Sequence, residues 1–333
     1  MVFNIALLIF GLVILIKSAN WLVTGASSLA LKLKINPMVI GLTVVAFGTS
    51  APELVVSVTS AISGNTGVAF GNVVGSNIAN ILLILGISAC ITPLVVNRNT
   101  VWKEIPMSFL GAVVMTVLGI QTILDGHFQK PIALFSQEII GSLTFSNGII
   151  LLLFFVIFIY YTFGIAKTTS SDTLEINTSP LSKSITFIIF GLVGLILGSK
   201  LLVDNAVSIA TILGVSDNFI GLTVVAVGTS VPELITSIVA AMKKRVELAI
   251  GNVVGSNIFN IFFVLGTTSL IREIPLSGQN FFDILVLFGT TLLLFLSLFV
   301  FKKGTIGRME GSIMIFLYLG YVGFLIFQQQ LEA

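Results

Sequence analysis

What this 333-residue chain has least of is charge: Asp, Glu, Lys and Arg make up 9% of it, where a soluble domain carries about 25%. Together with 56% hydrophobic residues, that scarcity excludes a water-soluble globule and implies a polytopic membrane protein embedded in a lipid bilayer. A net charge of +2 offers no basic surface for nucleic acid, and no basic cluster alternates with aromatics. The single cysteine, Cys90, excludes an internal disulfide and a cysteine-based metal cluster, and reads as a small apolar helix residue. The single histidine, His127, sits in the polar stretch DGHFQK and reads as a solvated loop residue rather than a metal ligand. No nucleophile and base are paired as an enzyme requires, and no cofactor or protein partner is implied.

Stretches of about 20 apolar residues long enough to cross a bilayer occur ten times, at 3–24, 38–62, 67–90, 103–123, 146–165, 184–212, 218–242, 247–271, 280–301 and 309–328. The hydrophilic interval 166–183 divides them five and five, and its Ser- and Thr-rich composition without an apolar face reads as a linker. Sliding the chain by 180 residues aligns 41–86 with 221–266 without a gap, with 27 of 46 positions identical. Upstream, Phe10-Gly11-Leu12-Val13 falls on Phe190-Gly191-Leu192-Val193, so the apolar N-terminus belongs to the fold and is not a signal peptide. The chain is thus expected to be an all-α membrane protein built from two five-helix repeats, 1–165 and 184–333.

Because five is odd, the second repeat should cross in the opposite sense to the first. With the N-terminus outside, the inner loops carry Lys32, Lys34, Arg98, Lys103, Lys167, Lys183, Lys243, Lys244, Arg245, Lys302, Lys303 and Arg308, and the outer loops only Lys130 and Arg272. The positive-inside rule then places both termini outside and the 166–183 linker in the cytoplasm of a cell-membrane protein.

Within the repeats, GLTVVAFGTSAPEL at 41–54 returns as GLTVVAVGTSVPEL at 221–234. A charge at mid-bilayer costs about 2.5 to 3.5 kcal/mol, so Glu53 and Glu233 read as sites. Pro52 and Pro232 have no N–H for the carbonyl four residues back, so each helix should open around Gly48-Thr49-Ser50 and Gly228-Thr229-Ser230. Opened backbone at that depth must face protein or a wet cavity, where its carbonyls become cation ligands.

A second repeated motif, GNVVGSNIAN at 71–80 and GNVVGSNIFN at 251–260, puts Asn72, Ser76 and Asn80 on one helix stripe, matched by Asn252, Ser256 and Asn260. Gly71/Gly75 and Gly251/Gly255 have the spacing that lets membrane helices approach closely. Amides and hydroxyls that merely glue helices together would leave the paired carboxylates and prolines unexplained. Two carboxylates, hydroxyls, amides and freed carbonyls form an oxygen-only inventory that suits hard cations, Ca²⁺ better than rigid octahedral Mg²⁺. A site charge near −2 matches one Ca²⁺ and is slightly exceeded by three Na⁺.

The four motif copies in repeat register closely resemble the α-repeats of the cation/Ca²⁺ exchanger superfamily, in its prokaryotic Na⁺/Ca²⁺ exchanger branch, and the resemblance spans essentially the whole chain. It implies ten helices, the second, third, seventh and eighth forming the ion-binding core and the first and sixth sliding across it. It implies Ca²⁺ bound by Glu53 and Glu233 with the backbone oxygens of Thr49 and Thr229. Flanking Na⁺ sites would use Ala46, Thr49 and Ser76 in one half and Ala226, Thr229 and Ser256 in the other, with Asn80 and Asn260 lining a middle site. Related exchangers often carry Asp at one of these last two positions, a departure that bears on proton and K⁺ coupling. A Ca²⁺/H⁺ antiporter would reuse the fold, but tends to carry an extra Glu in the Gly-Asn motif. A cation channel fits midplane carboxylates in inverted repeats less well. Elsewhere, Lys17 is expected to snorkel, Lys200 and Asp204 to neutralise each other at i, i+4, and Lys243-Lys244-Arg245 to be a solvated loop.

Overall fold

The computed structural model describes residues 1–125, 138–166, 180–213, 226–300 and 304–332. His127, Lys130, Lys167, Lys302, Lys303 and most of the expected linker fall outside the described residues. Twelve principal helices are described: α1 (Val2–Leu33), α2 (Pro37–Thr49), α3 (Ala51–Ile62), α4 (Thr66–Ile91), α5 (Glu104–Gly119), α6 (Phe145–Ala166), α7 (Leu181–Ile212), α8 (Ala226–Thr229), α9 (Val231–Met242), α10 (Val246–Ile271), α11 (Gly278–Val300) and α12 (Arg308–Glu332). Eight helices among the described residues are long and apolar enough to span a bilayer. The pair α2 and α3, bent by 44° at Ser50, passes the same test when taken together and brings the candidate spans to nine if it counts as one. The seventh expected span is described only from Ala226 onward, as α8 and α9.

The expected helix break lies two residues on the N-terminal side of its cause. Ser50 leaves helical geometry at φ −83°, ψ 8°, and Pro52 stands in the first turn of α3. Ser230 does the same at φ −85°, ψ 5°, ahead of Pro232. Three further irregularities were not expected. The helices widen into π turns at Gly41–Val45, Asn80–Leu85 and Asn260–Leu265, a feature that accompanies functional sites in helices. In α4 and α10 the widening starts at the last Asn of the repeated motif.

The all-α expectation needs one amendment. Two short antiparallel ribbons join the halves, β1 (Leu94–Val95) with β4 (Thr305–Ile306) and β2 (Ile139–Leu143) with β3 (Ile274–Ser277). Each ribbon takes one strand from each half.

Long helices α1 and α7 pack against each other through glycines. A Cβ at Gly191 would lie 2.8 Å from the Leu22 nitrogen, and one at Gly11 3.0 Å from the Leu202 nitrogen, so only glycine permits this approach. Gly251 and Gly255 of α10 likewise seat against Met38, Gly41 and Leu42 of α2, as the motif spacing predicts. The equivalent partners of Gly71 and Gly75 fall at 218, 221 and 222, outside the described residues. Around this centre, Phe70, Ile78, Ile81, Ile258, Phe262 and Leu265 form the buried apolar core between α4 and α10.

Candidate cation site

Both carboxylates are completely buried, Glu53 in the first turn of α3 and Glu233 in the first turn of α9. Their hydrogen bonds come in pairs that exchange the two halves. Glu53 Oε1 accepts from Ser230 Oγ at 3.2 Å and Ser76 Oγ at 3.4 Å. Glu233 Oε1 accepts from Ser50 Oγ at 2.8 Å and Ser256 Oγ at 3.4 Å. Each carboxylate is thus held by one serine of its own half and by the helix-break serine of the other.

The asparagines bind the framework together. Asn72 Nδ2 donates to the Glu53 carbonyl at 3.2 Å and to Ser57 Oγ at 3.0 Å, while its Oδ1 accepts from Thr229 Oγ1 at 3.2 Å. Asn252 repeats this with the Glu233 carbonyl at 3.3 Å, Ser237 Oγ at 2.9 Å and Thr49 Oγ1 at 3.0 Å. Between α4 and α10, Asn80 Nδ2 donates to Asn257 Oδ1 at 2.9 Å and Asn260 Nδ2 to Asn77 Oδ1 at 3.1 Å. Asn77 and Asn257 close the square by donating to each other's backbone carbonyl at 3.3 Å.

After these bonds are drawn, four oxygens remain buried with no hydrogen-bond donor: Glu53 Oε2, Glu233 Oε2, Asn80 Oδ1 and Asn260 Oδ1. They occupy equivalent positions in the two halves. A buried ionised carboxylate without a counter-charge costs several kcal/mol, and an amide oxygen left without a donor about 1 to 3 kcal/mol. Carboxylate and amide oxygens are the kind of group that a hard cation coordinates.

Of the residues picked from the sequence, the structure puts Glu53, Ser76 and Thr229 in one hydrogen-bonded cluster, Glu233, Ser256 and Thr49 in a second, and Asn80 and Asn260 in the asparagine square. Ala46 is buried beside the second cluster, and its carbonyl accepts from the Ser50 nitrogen at 3.0 Å and from Thr49 Oγ1 at 3.3 Å. Ala226 opens α8, and its side chain lies outside the described set. Six participants were missed: Ser50, Ser230, Asn77, Asn257, Ser57 and Ser237. Each recurs at the same register in the other copy, so that recurrence was the available signal.

The prolines leave one carbonyl free in each half, and the two fare differently. Gly228 O accepts from Ser199 Oγ of α7 at 3.0 Å. In the other half the position equivalent to Ser199 is Ala19, which has no proton to give to Gly48 O.

One expectation about outlying charges is corrected. Lys200 and Asp204 are both exposed, and among the described residues no ion pair joins them. An exposed pair gains little from ordering the lysine side chain. Lys243 and Lys244 are exposed, in keeping with the expected solvated loop, and Lys243 Nζ also donates to Asn20 O at 3.1 Å and Thr24 Oγ1 at 2.9 Å on α1.

Comparison with known proteins matches the chain over nearly its full length. The profile of the family described as sodium/calcium exchanger protein matches residues 3–164 and 183–327. The putative antiporter CaxA of Alkalimonas amylolytica is 38% identical over 321 residues, covering 93% of this chain and 95% of that protein. The sodium/calcium exchanger MaX1 of Methanosarcina acetivorans is 31% identical over 348 residues, covering 96% and 97%. A solved structure of the sodium-calcium exchanger NCX_Mj superposes with a TM-score of 0.81 at 32% identity, covering 97% of this chain and 98% of that one. With both repeated motifs, the paired buried carboxylates and the matching fold in hand, this multi-pass membrane chain belongs to the sodium/calcium exchanger family.

Proposed function

We propose that the chain is a secondary antiporter that exchanges Na⁺ for Ca²⁺ by alternating access, with three Na⁺ per Ca²⁺. The observation that carries this reading is the set of four buried acceptor oxygens without donors, Glu53 Oε2, Glu233 Oε2, Asn80 Oδ1 and Asn260 Oδ1. Two of them are carboxylates, and the surrounding hydroxyls and amides are all oxygen or amide donors, the chemistry of a Ca²⁺ or Na⁺ site. In this reading Ca²⁺ sits between Glu53 and Glu233 with the backbone oxygens of Thr49 and Thr229. Na⁺ is held by Ala46, Thr49 and Ser76 on one side, by Ala226, Thr229 and Ser256 on the other, and Asn80 and Asn260 line the middle.

The mechanism follows from charge. Two carboxylates drawn into low dielectric repel each other until a cation neutralises them, so the site resists crossing empty. One Ca²⁺ cancels the charge near −2, and three Na⁺ exceed it by one. The pairwise exchange of hydrogen bonds between halves supports ten spans arranged as two inverted five-helix repeats, 1–165 and 184–333. The positive-inside count supports external termini and a cytoplasmic 166–183 linker. The test is ⁴⁵Ca²⁺ uptake into Na⁺-loaded proteoliposomes. Uptake should require the outward Na⁺ gradient; uptake driven instead by a proton gradient without Na⁺ would replace this reading with a Ca²⁺/H⁺ antiporter.

A further inference from the structure

The hairpins α3–α4 and α9–α10 turn alike, with Gly64 at φ 88° and its register equivalent Lys244 at φ 57°. They are covered differently. Helix α1 lies along α9, its Val23, Ala26 and Ala30 packing with Val231, Val239 and Ala240. Among the described residues, no comparable packing joins α7 to α3. Thr59 of α3 is exposed where its equivalent, Val239, is buried. Among the described residues, the flank of the carboxylate site beside α9 is therefore covered and the flank beside α3 is not, and these are the shut and open ends of the crevice between core and covering helices.

At the shut end stands Lys243, the residue that ends α9, holding Asn20 O and Thr24 Oγ1 of α1. Repeat register converts this contact into its counterpart at the open end. Lys243 becomes Ser63, Asn20 becomes Lys200 and Thr24 becomes Asp204. The ammonium has moved from the core hairpin to the covering helix. Ser63 ends α3, so Lys200 in that position would meet a hydroxyl and the negative end of a helix dipole, where a cation is favoured. At present Lys200 is exposed.

We propose that the chain carries one ammonium latch at each end of its crevice, with donor and acceptor exchanged between the halves. Lys243 holds α1 on α9 in the state seen here, and Lys200 takes hold of Ser63 and the end of α3 when the opposite side closes. This rests on the alternating-access reading, and it makes the two lysines opponents: each stabilises the state the other disfavours.

The test uses thiol labelling and no transport, so its outcome is independent of which ions are exchanged. In a Cys90→Ser background, Val239→Cys places a reporter under α1. Detergent-solubilised protein is reacted with a water-soluble maleimide in Na⁺- and Ca²⁺-free buffer. Adding Lys243→Met should raise the labelling rate at least about threefold, the scale expected for losing a partly exposed charge-assisted hydrogen bond. Adding Lys200→Met instead should lower it by a similar factor, and the double variant should return toward the starting rate. Lys243→Arg keeps a donor and should label like the parent, which separates the latch from simple loss of folding. Changes of the same sign in the two Met variants, or no change in the Lys200→Met variant, would overturn the proposal.

Discussion

Glu53 and Glu233 each receive one serine hydroxyl from their own half and one from the other, yet α9 is sealed under α1 while the same face of α3 lies open. The chemistry of the site obeys the repeat and the cover does not. What differs between the halves is therefore a matter of conformation and of the residues at the gates, and what is equal belongs to ion binding.

The hardest test of that equality is removal of one charge at a time. Glu53→Gln and Glu233→Gln should each reduce Na⁺-driven Ca²⁺ uptake at least about 100-fold, since breaking a buried charge arrangement costs about 3 to 5 kcal/mol. Wild-type uptake by either variant, with an unchanged thermal melt, would break the comparison. Treating the pair as a single site of charge near −2 also makes exchange electrogenic, biased by about 2.3 kcal/mol per 100 mV. A valinomycin-imposed potential that leaves uptake unaffected would argue for two Na⁺.

Smaller effects sharpen the comparison. Ser50→Ala and Ser230→Ala each remove a cross-half bond to a carboxylate, worth about 1.5 to 3 kcal/mol, and each should raise the half-saturating Ca²⁺ concentration about tenfold. A loss confined to one of them would show that the halves do not share the ion equally. With amides at Asn80 and Asn260, uptake should need no K⁺ and vary little between about pH 6.5 and 8, because an amide neither titrates nor adds charge. Asn80→Asp and Asn260→Asp would each place a third carboxylate beside the other two, so that one holds a proton until a cation displaces it. Both should become more sensitive to acid. A pH profile overlaying the wild type in either would defeat the charge argument. The smallest effect concerns the freed carbonyls: Ser199→Ala should cost about 1 kcal/mol of stability, seen as a lowered melting temperature. An unchanged melt would show that Gly228 O does not depend on Ser199.

The sequence shows the site plainly because its parts recur 180 residues apart and each carries its own chemistry: a carboxylate, a proline, an amide stripe. It shows the contacts between copies poorly. The stripe argument followed Asn72, Ser76 and Asn80 along one face of α4 and passed over Asn77, which points to the other half's backbone. Lys200 and Asp204 misled for the same reason, since spacing along one helix says nothing about what lies beside it or how hydrated it is. The fold was legible where apolar length decides, and the ribbons β1–β4 and β2–β3 were not, because each strand is only two to five residues long and is completed by a partner from the other half.

Those ribbons, like the serine and asparagine bonds, obey one rule: a group in the first half that meets a group in the second has a mirror contact with the roles exchanged. This is the contact pattern of an isologous homodimer, and a five-helix chain that paired with an oppositely oriented copy of itself about a two-fold axis could form every one of them. Such a dimer could never give its two gates different residues. Fusion removes that restriction. Lys243 opposite Ser63, Lys200 opposite Asn20 and Ser199 opposite Ala19 are differences that a homodimer cannot encode and this chain does, and through them the two sides of one symmetric site can be given unequal energies.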